Sequence, residues 1–315
     1  MIEGNQIRGI AAVFVTMNRS ATARTCLAKL TAQSLRPEKV FVVDNASTDG
    51  TGRMLDEIID ASGDWIVKID LEKNLGNAGG MEIALETAFT AGFEAVWILD
   101  DDSWPEPDAL AELAAGGVPK DEVRSCKVVD LATGALSWPV QLPHRSGWKI
   151  FDETDSLPVD RVIRIRRSWL GALIPREVYQ RVGPVEGRFF LRGEDEDYPR
   201  RIERAGFPVF MINTSLLHHP PSGRIKRCEF LGYSVILESG LTGDKLYYRL
   251  RNTLWMIRRD RGLFESSISM LLNWIALFCW EKSMTSWMPI WWEAARDAFH
   301  DRLGARGSSS GTHRE

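Results

Sequence analysis

Cysteine is scarce in this 315-residue sequence, and its four copies are far apart. Cys26, Cys126, Cys228 and Cys279 form no CxxC pair, so they fit neither a zinc site nor a dense disulfide framework. We therefore expect four buried thiols that act as small apolar residues in a reducing compartment.

Features that define several other protein classes are also absent. The formal net charge of −4 excludes a broadly basic surface, so we expect no nucleic-acid partner. Residues 1–8 are polar and contain no apolar segment with a cleavage site, which predicts a cytoplasmic protein. The longest apolar run, residues 268–280, covers about half of the ~20 residues that a transmembrane helix needs. The remaining composition, with 44% hydrophobic and 26% charged residues, is that of a globular protein.

Short apolar runs alternate with helical patterns in the first hundred residues. The predicted strands are residues 9–17, 39–43, 64–69 and 95–99, and the predicted helices are residues 20–33, 51–59 and 79–91. This alternation predicts βαβ units and an α/β fold with a mostly parallel sheet. Ligands of such sheets bind beyond the carboxyl ends of the strands, where Thr16, Asp44 and Asp100 fall.

The rest of the chain has a weaker pattern. Residues 104–160 indicate loops and an irregular insertion, and a second block of strands and helices runs to residue 212. We expect four regions: the first half of one domain to about residue 103, its second half from 104 to 240, C-terminal helices over 241–303, and a disordered tail from Gly304 to the end.

The triplet Asp100-Asp101-Asp102 follows the fourth predicted strand. In extended backbone, residues two apart point the same way, so Asp100 and Asp102 face one ligand together while Asp101 points away. Neighbouring carboxylates repel each other unless a proton or a cation intervenes. Hard oxygen ligands suit Mg²⁺ or Mn²⁺ shared with substrate phosphates, and a solvated acidic loop is the alternative.

Two loops supply possible contacts to a ligand. Residues 74–80 (NLGNAGG) let the backbone approach a ligand just before a helix whose amino terminus favours anions, although an ordinary connecting loop would look similar. Asp44 ends the second strand and can accept hydrogen bonds from a base or a ribose, while Ser47 to Asp49 can cap the next helix.

Residues 194–197 (EDED) place four acids together, which exceeds what a helix cap requires. One of these carboxylates can act as a general base, its pKa raised by its neighbours. The pair His218-His219 follows a predicted strand and is by itself only a weak metal signal.

Taken together and in order, these motifs resemble the inverting family 2 glycosyltransferases of the GT-A fold. The resemblance covers roughly residues 9–255. It rests on residues 15–19 (VTMNR), 43–51 (VDNASTDGT), NLGNAGG, 98–110 (ILDDDSWPEPDAL), 171–178, 189–206 (FFLRGEDEDYPRRIERAG), His218-His219, and residues 247–252, which match the YYxxRN element.

The resemblance implies a role for each matching residue. Donor-binding positions are Thr16, Asn18, Arg19, Asp44, Asn74, Gly79, Gly80, Asp100 and Asp101. Metal ligands for Mn²⁺ or Mg²⁺ are Asp100, Asp102 and a histidine, for which we choose His218 over His219. Asp195 is the catalytic base, and acceptor-binding positions are Trp169, Gly171, Glu194 and Asp197.

Within the family, the triple Asp, the NLGNAGG loop and Asp197-Tyr198 resemble galactofuranosyltransferases and rhamnosyltransferases of bacterial surface glycans. The implied partners are a nucleotide-sugar donor and a glycan or lipid-linked acceptor. There are two alternatives. A nucleotidyltransferase would need a glycine-rich basic loop after the first strand, and Thr16 to Arg19 contain no glycine. A non-catalytic nucleotide-sugar-binding scaffold would be expected to lack metal or base residues, and the motifs here retain them.

The C-terminal helical region is rich in tryptophan and arginine. Trp274, Trp280, Trp287, Trp291 and Trp292 lie within or after the apolar run, and five arginines between 249 and 261 precede it. This composition suits peripheral contact with the inner face of the cell membrane, or packing against the catalytic domain or a second subunit. A second basic run, Arg161, Arg164, Arg166 and Arg167, could pair with the acidic cluster or with acceptor phosphate.

Overall fold

A computed structural model describes residues 2–3, 6–117, 119–220, 225–230, 233–238, 240–280 and 284–307. The chain divides into two compact units that are discontinuous in sequence. Unit 1 comprises residues 1–74, 80–185 and 198–221, and unit 2 comprises residues 75–79, 186–197 and 222–315. This division differs from the expected boundary at residue 240, because the acidic cluster belongs with the C-terminal helices.

The strands, numbered along the chain, are β1 Ile2–Glu3, β2 Gln6–Thr16, β3 Arg36–Asp44, β4 Ile66–Asp70, β5 Ala95–Ile98, β6 Trp104–Pro105, β7 Val123–Val129, β8 Val140–His144, β9 Gly147–Phe151, β10 Val162–Ile165, β11 Ala172–Pro175, β12 Val209–His218, β13 Ile225–Phe230 and β14 Tyr233–Glu238. The helices are α1 Ser20–Thr31, α2 Thr51–Ser62, α3 Gly76–Thr90, α4 Ala109–Leu113, α5 Arg176–Val182, α6 Glu194–Arg204, α7 Gly243–Arg261, α8 Leu263–Trp280 and α9 Met284–Phe299.

Unit 1 is built on one mixed sheet with the strand order β10-β12-β7-β11-β5-β2-β3-β4. The pairs β2–β3, β2–β5, β3–β4 and β7–β12 are parallel, while β11 runs antiparallel to both of its neighbours. Apolar side chains of β2 alternate between two buried clusters, so helices cover both faces of the sheet. The predicted α/β fold is therefore confirmed.

Residues 104–160 were expected to form loops and an irregular insertion, and this prediction is wrong. They contain β7, a central strand paired with both β11 and β12, and the hairpin β8–β9. Arg124, Ser125 and Lys127 interrupt the apolar pattern of β7, which is why its sequence does not look like a buried strand. The strand β12 also extends six residues beyond the predicted end, as far as His218.

Unit 2 contains α7, α8, α9 and the hairpin β13–β14. Gly304 accepts a hydrogen bond from Arg251 at 2.7 Å, and Arg306 forms ion pairs with Glu293 and Asp244. Residues 304–307 were expected to be disordered, but these contacts tie them to the helices; residues 308–315 lie outside the described residues. In the part of the chain that the structure describes, no helix is both long and apolar enough to cross a bilayer.

The cysteines differ from expectation at one position. Cys26 and Cys126 are buried and free, as predicted, whereas Cys279 is free and exposed. The side chain of Cys228 lies outside the described residues. Cys279 lies near the end of α8, next to Phe278, which is 51% exposed.

Candidate active site

The acid triplet leaves the sheet at the end of β5, next to the end of β2. Ser103 Oγ donates to the carbonyl oxygen of Asp100 at 2.6 Å and accepts from its amide at 2.9 Å, which closes a tight turn. The turn separates the three carboxylates: Asp101 is buried, whereas Asp100 and Asp102 are partly exposed. The predicted split of the triplet is therefore what the structure shows.

Asp100, Asp102 and His219 form a group whose potential ligand atoms all lie within 4.8 Å of one another. His219 Nε2 lies 3.2 Å from Asp102 Oδ1 and 3.9 Å from Asp100 Oδ2. The other ring nitrogen, Nδ1, lies 2.6 Å from the carbonyl oxygen of Pro220 and must therefore donate to it. This contact directs Nε2 towards the carboxylates, as is usual for metal-binding histidines. Two carboxylates and one imidazole fit a divalent cation.

The choice of His218 as the metal-binding histidine is wrong for this group. His218 is the last residue of β12, and its Nε2 lies 2.6 Å from Glu106 Oε1. Successive residues of extended backbone point to opposite sides, so only one of the two histidines can face the triplet. The sequence alone could not decide between them because it did not show where β12 ends.

His219 is held by residues that sequence reasoning missed. The Trp138 ring packs against the His219 ring with centroids 4.7 Å apart, and Ser137 Oγ donates to the carbonyl oxygen of His219 at 2.9 Å. Both residues lie in the segment that we expected to be an irregular insertion. Nothing in the sequence marks a serine followed by a tryptophan as residues that hold a histidine. Ser137 and Trp138 lie beside His219 only because β7 pairs with β12.

Electrostatics sets the charge states of the group. Burial alone would raise the pKa of Asp102, but hydrogen bonds and positive charge from His219 and Arg19 lower it to about 2. Burial raises the pKa of Asp101 to about 6, against the opposing effects of Arg19 and Thr16. Burial alone would lower the pKa of His219, but the hydrogen bond to Asp102 and the charges of Asp102 and Asp100 raise it instead. Asp102 is thus a persistent carboxylate.

Thr16 and Arg19 contact the acid triplet. Thr16 Oγ1 donates to Asp101 at 2.8 Å, and Arg19 bridges Asp101 at 2.8 Å and Asp102 at 2.7 Å. These contacts fix the triplet against the end of β2. If Thr16 or Arg19 also binds the donor, it must do so while it holds a carboxylate of the triplet in place.

Asn18 and Asp44 organise the loop that follows β3. Asn18 adopts a φ of +54°, its amide donates to Ser47 Oγ, and its Oδ1 accepts from the amide of Thr48 at 2.6 Å. Asp44 is buried and accepts from the amide of Ser47 at 3.0 Å. A Cβ at Gly52 would lie 2.8 Å from the other Asp44 oxygen, so a larger residue there would have to displace the Asp44 carboxylate. Both predicted nucleoside contacts therefore also stabilise the loop.

The NLGNAGG residues have structural reasons for their identities. Asn45 donates to Asn74 Oδ1 at 2.9 Å. The helix α3 begins at Gly76, so Gly79 and Gly80 lie inside its first turns rather than ahead of it. A Cβ at Gly80 would lie 2.7 Å from Val15, and one at Gly79 would lie 2.7 Å from Leu75. Close packing accounts for both glycines, and their donor-binding role stays a prediction.

Trp169 and Gly171 lie in the interior of unit 1. Trp169 is buried and meets the ring of Tyr198 edge to face, with centroids 5.7 Å apart. Gly171 has a φ of +74°, and a Cβ there would lie 2.9 Å from Cys126. Packing explains both residues, so acceptor binding at these positions stays a prediction.

The four acids at the start of α6 have different environments within unit 2. Glu194 is buried and accepts from Asn77 at 2.9 Å, Glu196 pairs with Arg249 at 2.7 Å, and the fully buried Asp197 pairs with Arg259 at 2.6 Å. Asp195 is exposed and accepts from the amide of Gly193 at 2.9 Å. Asp195 is therefore the member of the cluster that is open to a ligand, as a general base must be.

The arginines of the basic run before Trp169 contact groups within unit 1. Arg161 pairs with Glu112, while Arg166 and Arg167 both pair with Glu203. Arg164 lies over the ring of Phe210. Acids within unit 1 thus neutralise three of these four arginines, whereas the two expected alternatives were the acidic cluster and acceptor phosphate.

Residues 12–116 match the family described as Glycosyl transferase family 2. The galactofuranosyltransferase GlfT1 of Mycolicibacterium smegmatis is 26% identical over 221 residues, which cover 67% of this chain and 70% of the relative. The protein of the same name from Mycobacterium tuberculosis is 29% identical over 220 residues, with the same two coverages.

Solved structures agree on the fold. A structure of GalNAc-T7 with UDP, GalNAc and Mn²⁺ has a TM-score of 0.58 and 15% identity over 80% of this chain, and S. aureus TarS has a TM-score of 0.58 and 14% identity over 92%. This chain spans about half of each of those two structures. The mixed sheet with helices on both faces has the GT-A fold, as predicted. Residues 12–116 therefore carry a glycosyltransferase family 2 domain, as the motifs of the sequence predicted.

Proposed function

We propose that this chain transfers galactofuranose from UDP-galactofuranose to a hydroxyl group of a glycan or lipid-linked acceptor in bacterial cell-surface polysaccharide synthesis. The observation that carries the proposal is the Asp100–Asp102–His219 group at the carboxyl edge of a family 2 domain. The galactofuranosyltransferase relatives favour the sugar, and rhamnose from dTDP-rhamnose is the second choice.

Asp100, Asp102 and His219 would hold Mn²⁺ or Mg²⁺, whose charge would offset that of the leaving diphosphate. The GalNAc-T7 structure was solved with UDP and Mn²⁺, which supports this pairing of nucleotide and metal. Arg19 keeps Asp102 in place through its ion pair, and Thr16 and Arg19 together hold Asp101 away from the group. The loop ordered by Asn18 and Asp44 supplies a preorganised edge for the nucleoside.

Asp195 is the proposed general base. Its carboxylate takes the proton of the acceptor hydroxyl as that oxygen forms a bond to the anomeric carbon. The bond between the anomeric carbon and the diphosphate oxygen breaks in the same displacement, and the diphosphate leaves with the electron pair. One displacement inverts the anomeric centre, so the product has the opposite configuration to the donor.

A panel of nucleotide sugars tests the donor. Ligands that bind only the folded state raise its melting temperature, so UDP-galactofuranose with Mn²⁺ should stabilise the full chain more than UDP-glucose or dTDP-rhamnose. Incubation with an octyl galactofuranoside acceptor should release UDP and give an inverted linkage by ¹H NMR. Turnover of dTDP-rhamnose instead would correct the sugar, whereas binding of a donor without any turnover would favour the non-catalytic scaffold.

A further inference from the structure

The helix α8 carries a row of exposed apolar side chains along one face. Phe264 is 71% exposed, Leu271 56%, Ile275 43% and Phe278 51%, and Ile268, between the first two, is half-buried. We call these five residues the α8 stripe. On a helix with 3.6 residues per turn they lie within a sector of about 80°, so they form one continuous strip.

The opposite face of α8 is packed within unit 2, which fixes the direction of the stripe. Ser266 is buried and donates from Oγ to the carbonyl oxygen of Leu254 at 3.2 Å, and Leu277 is also buried. Met270 packs against the same helical core. These polar and apolar contacts hold the opposite face of α8 inward. The packing of α8 therefore leaves the stripe exposed.

The spacing of the stripe indicates another helix as its partner. The intervals from Phe264 to Phe278 are four, three, four and three residues, which is the heptad spacing of a helix-pairing seam. A helix that lies on an anionic bilayer carries Lys and Arg beside its apolar face. From Leu263 to Cys279 the sequence contains a single charged residue, Glu265, and no cation.

The arginines of the preceding helix are also engaged within unit 2. Arg249 and Arg259 pair with Glu196 and Asp197, and Arg258 donates to the carbonyl oxygens of Ala298 and Phe299. Trp287 and Trp291 are buried. These five residues therefore contribute to the packing within unit 2, whereas Trp292 is 65% exposed.

We propose that the α8 stripe pairs with the α8 stripe of a second copy of this chain about a two-fold axis. A two-fold interface brings the same surface of each copy together, so that surface must be self-complementary. The α8 stripe meets this requirement because it is apolar along its whole length. The exposed parts of the stripe amount to roughly 500 Å² per copy, so pairing would bury about 1,000 Å² in total, the lower bound for a specific interface. The proposal is independent of the donor sugar.

Sedimentation velocity and light scattering on the full chain test the pairing at micromolar concentrations. Wild type should have twice the mass of 35.5 kDa. Leu271→Glu should raise the dimer dissociation constant at least ~10-fold, because it places a carboxylate from each copy in the apolar seam. Leu131→Glu is the matched control, since Leu131 is 60% exposed and lies in unit 1. Circular dichroism should show both variants folded.

A crosslink provides a second readout. In a Cys279→Ser background, Leu271→Cys should form a disulfide-linked dimer on mild oxidation, and Leu131→Cys should not. A monomeric wild type, or equal effects of Leu271→Glu and Leu131→Glu, would overturn the proposal. The proposal would also be overturned if monomeric wild type floated with phosphatidylcholine vesicles and the Leu271→Glu variant did not, because the stripe would then be a lipid contact.

Discussion

His219 points its Nε2 atom at Asp102, 3.2 Å away, while the adjacent His218 pairs with Glu106 on the other side of the strand. This arrangement gives the two histidines different predicted effects on metal binding, although they are neighbours in sequence. Their separation allows a controlled test of the metal site that does not depend on knowing the acceptor.

We expect Asp102→Asn or His219→Ala to weaken Mn²⁺ binding by ~100-fold or more, because the first removes a carboxylate charge and the second removes a ligand atom. His218→Ala should leave the affinity within about three-fold, since it lies outside the group. Titration of Mn²⁺ by electron paramagnetic resonance measures the affinity directly. Equal losses in His218→Ala and His219→Ala would show that the assignment of the histidine is wrong.

Trp138 should position His219 for metal binding without touching the metal. Trp138→Ala removes the ring that packs against the imidazole, so we expect Mn²⁺ affinity to fall ~10-fold, and Trp138→Phe should recover most of it. Trp148→Ala, on the β8–β9 hairpin, is a control for the loss of a tryptophan. If Trp138→Ala changes the melting temperature but not the metal affinity, its role is structural only.

The sequence predicted most of the first half of the fold because its strands are short, apolar and separated by helices with clear periodicity. It failed at β7, where Arg124 and Lys127 hide a central strand, and there tertiary pairing overrides local pattern. The different orientations of the three acids in the triplet were predictable, because side chains of extended backbone alternate in direction at the end of a strand. Trp138 and the choice of His219 were not, because both depend on how far β12 runs beside β7.

Asp195 and Glu196 are neighbours with opposite expected roles. Asp195→Asn should lower kcat by roughly 10³-fold with little change in melting temperature, because the side chain is exposed and is the proposed base. Glu196→Gln breaks an ion pair with Arg249, so it should lower stability and retain most of the kcat. Steady-state UDP release and thermal unfolding distinguish them. Wild-type turnover in a folded Asp195→Asn variant would remove Asp195 as the base.

Asp197 was expected to bind the acceptor, but it is fully buried and pairs with Arg259. Arg259→Ala should therefore destabilise the protein by about 3 kcal/mol, because a buried carboxylate loses its arginine. Arg302→Ala is the control: Arg302 is half exposed and lies 3.9 Å from Asp297, so its loss should cost under ~0.5 kcal/mol. Urea unfolding followed by tryptophan fluorescence measures both. Similar small costs would mean that Arg259 contributes little.

Glu203 should make the stability of unit 1 depend on pH in the acid range. Burial alone would raise the pKa of Glu203, but hydrogen bonds and charges from Arg166 and Arg167 outweigh it and hold the pKa below the ordinary 4.5. A carboxylate whose pKa is lower in the folded state than in the unfolded state stabilises the fold at pH values above its unfolded-state pKa. This contribution is lost as the pH falls through the folded-state pKa.

We therefore expect Glu203→Gln to lower the free energy of unfolding by about 1 kcal/mol at neutral pH, a modest value because solvent screens this partly exposed pair. The difference from wild type should persist down to about pH 4.5 and shrink below it, as protonation removes the charge that the variant already lacks. Urea unfolding across this range measures the difference. Glu57→Gln, which breaks an exposed pair 3.6 Å long with Arg24, should show almost no effect at any pH. A difference between wild type and Glu203→Gln that is the same at every pH would mean that packing, and not charge, makes Glu203 stabilising.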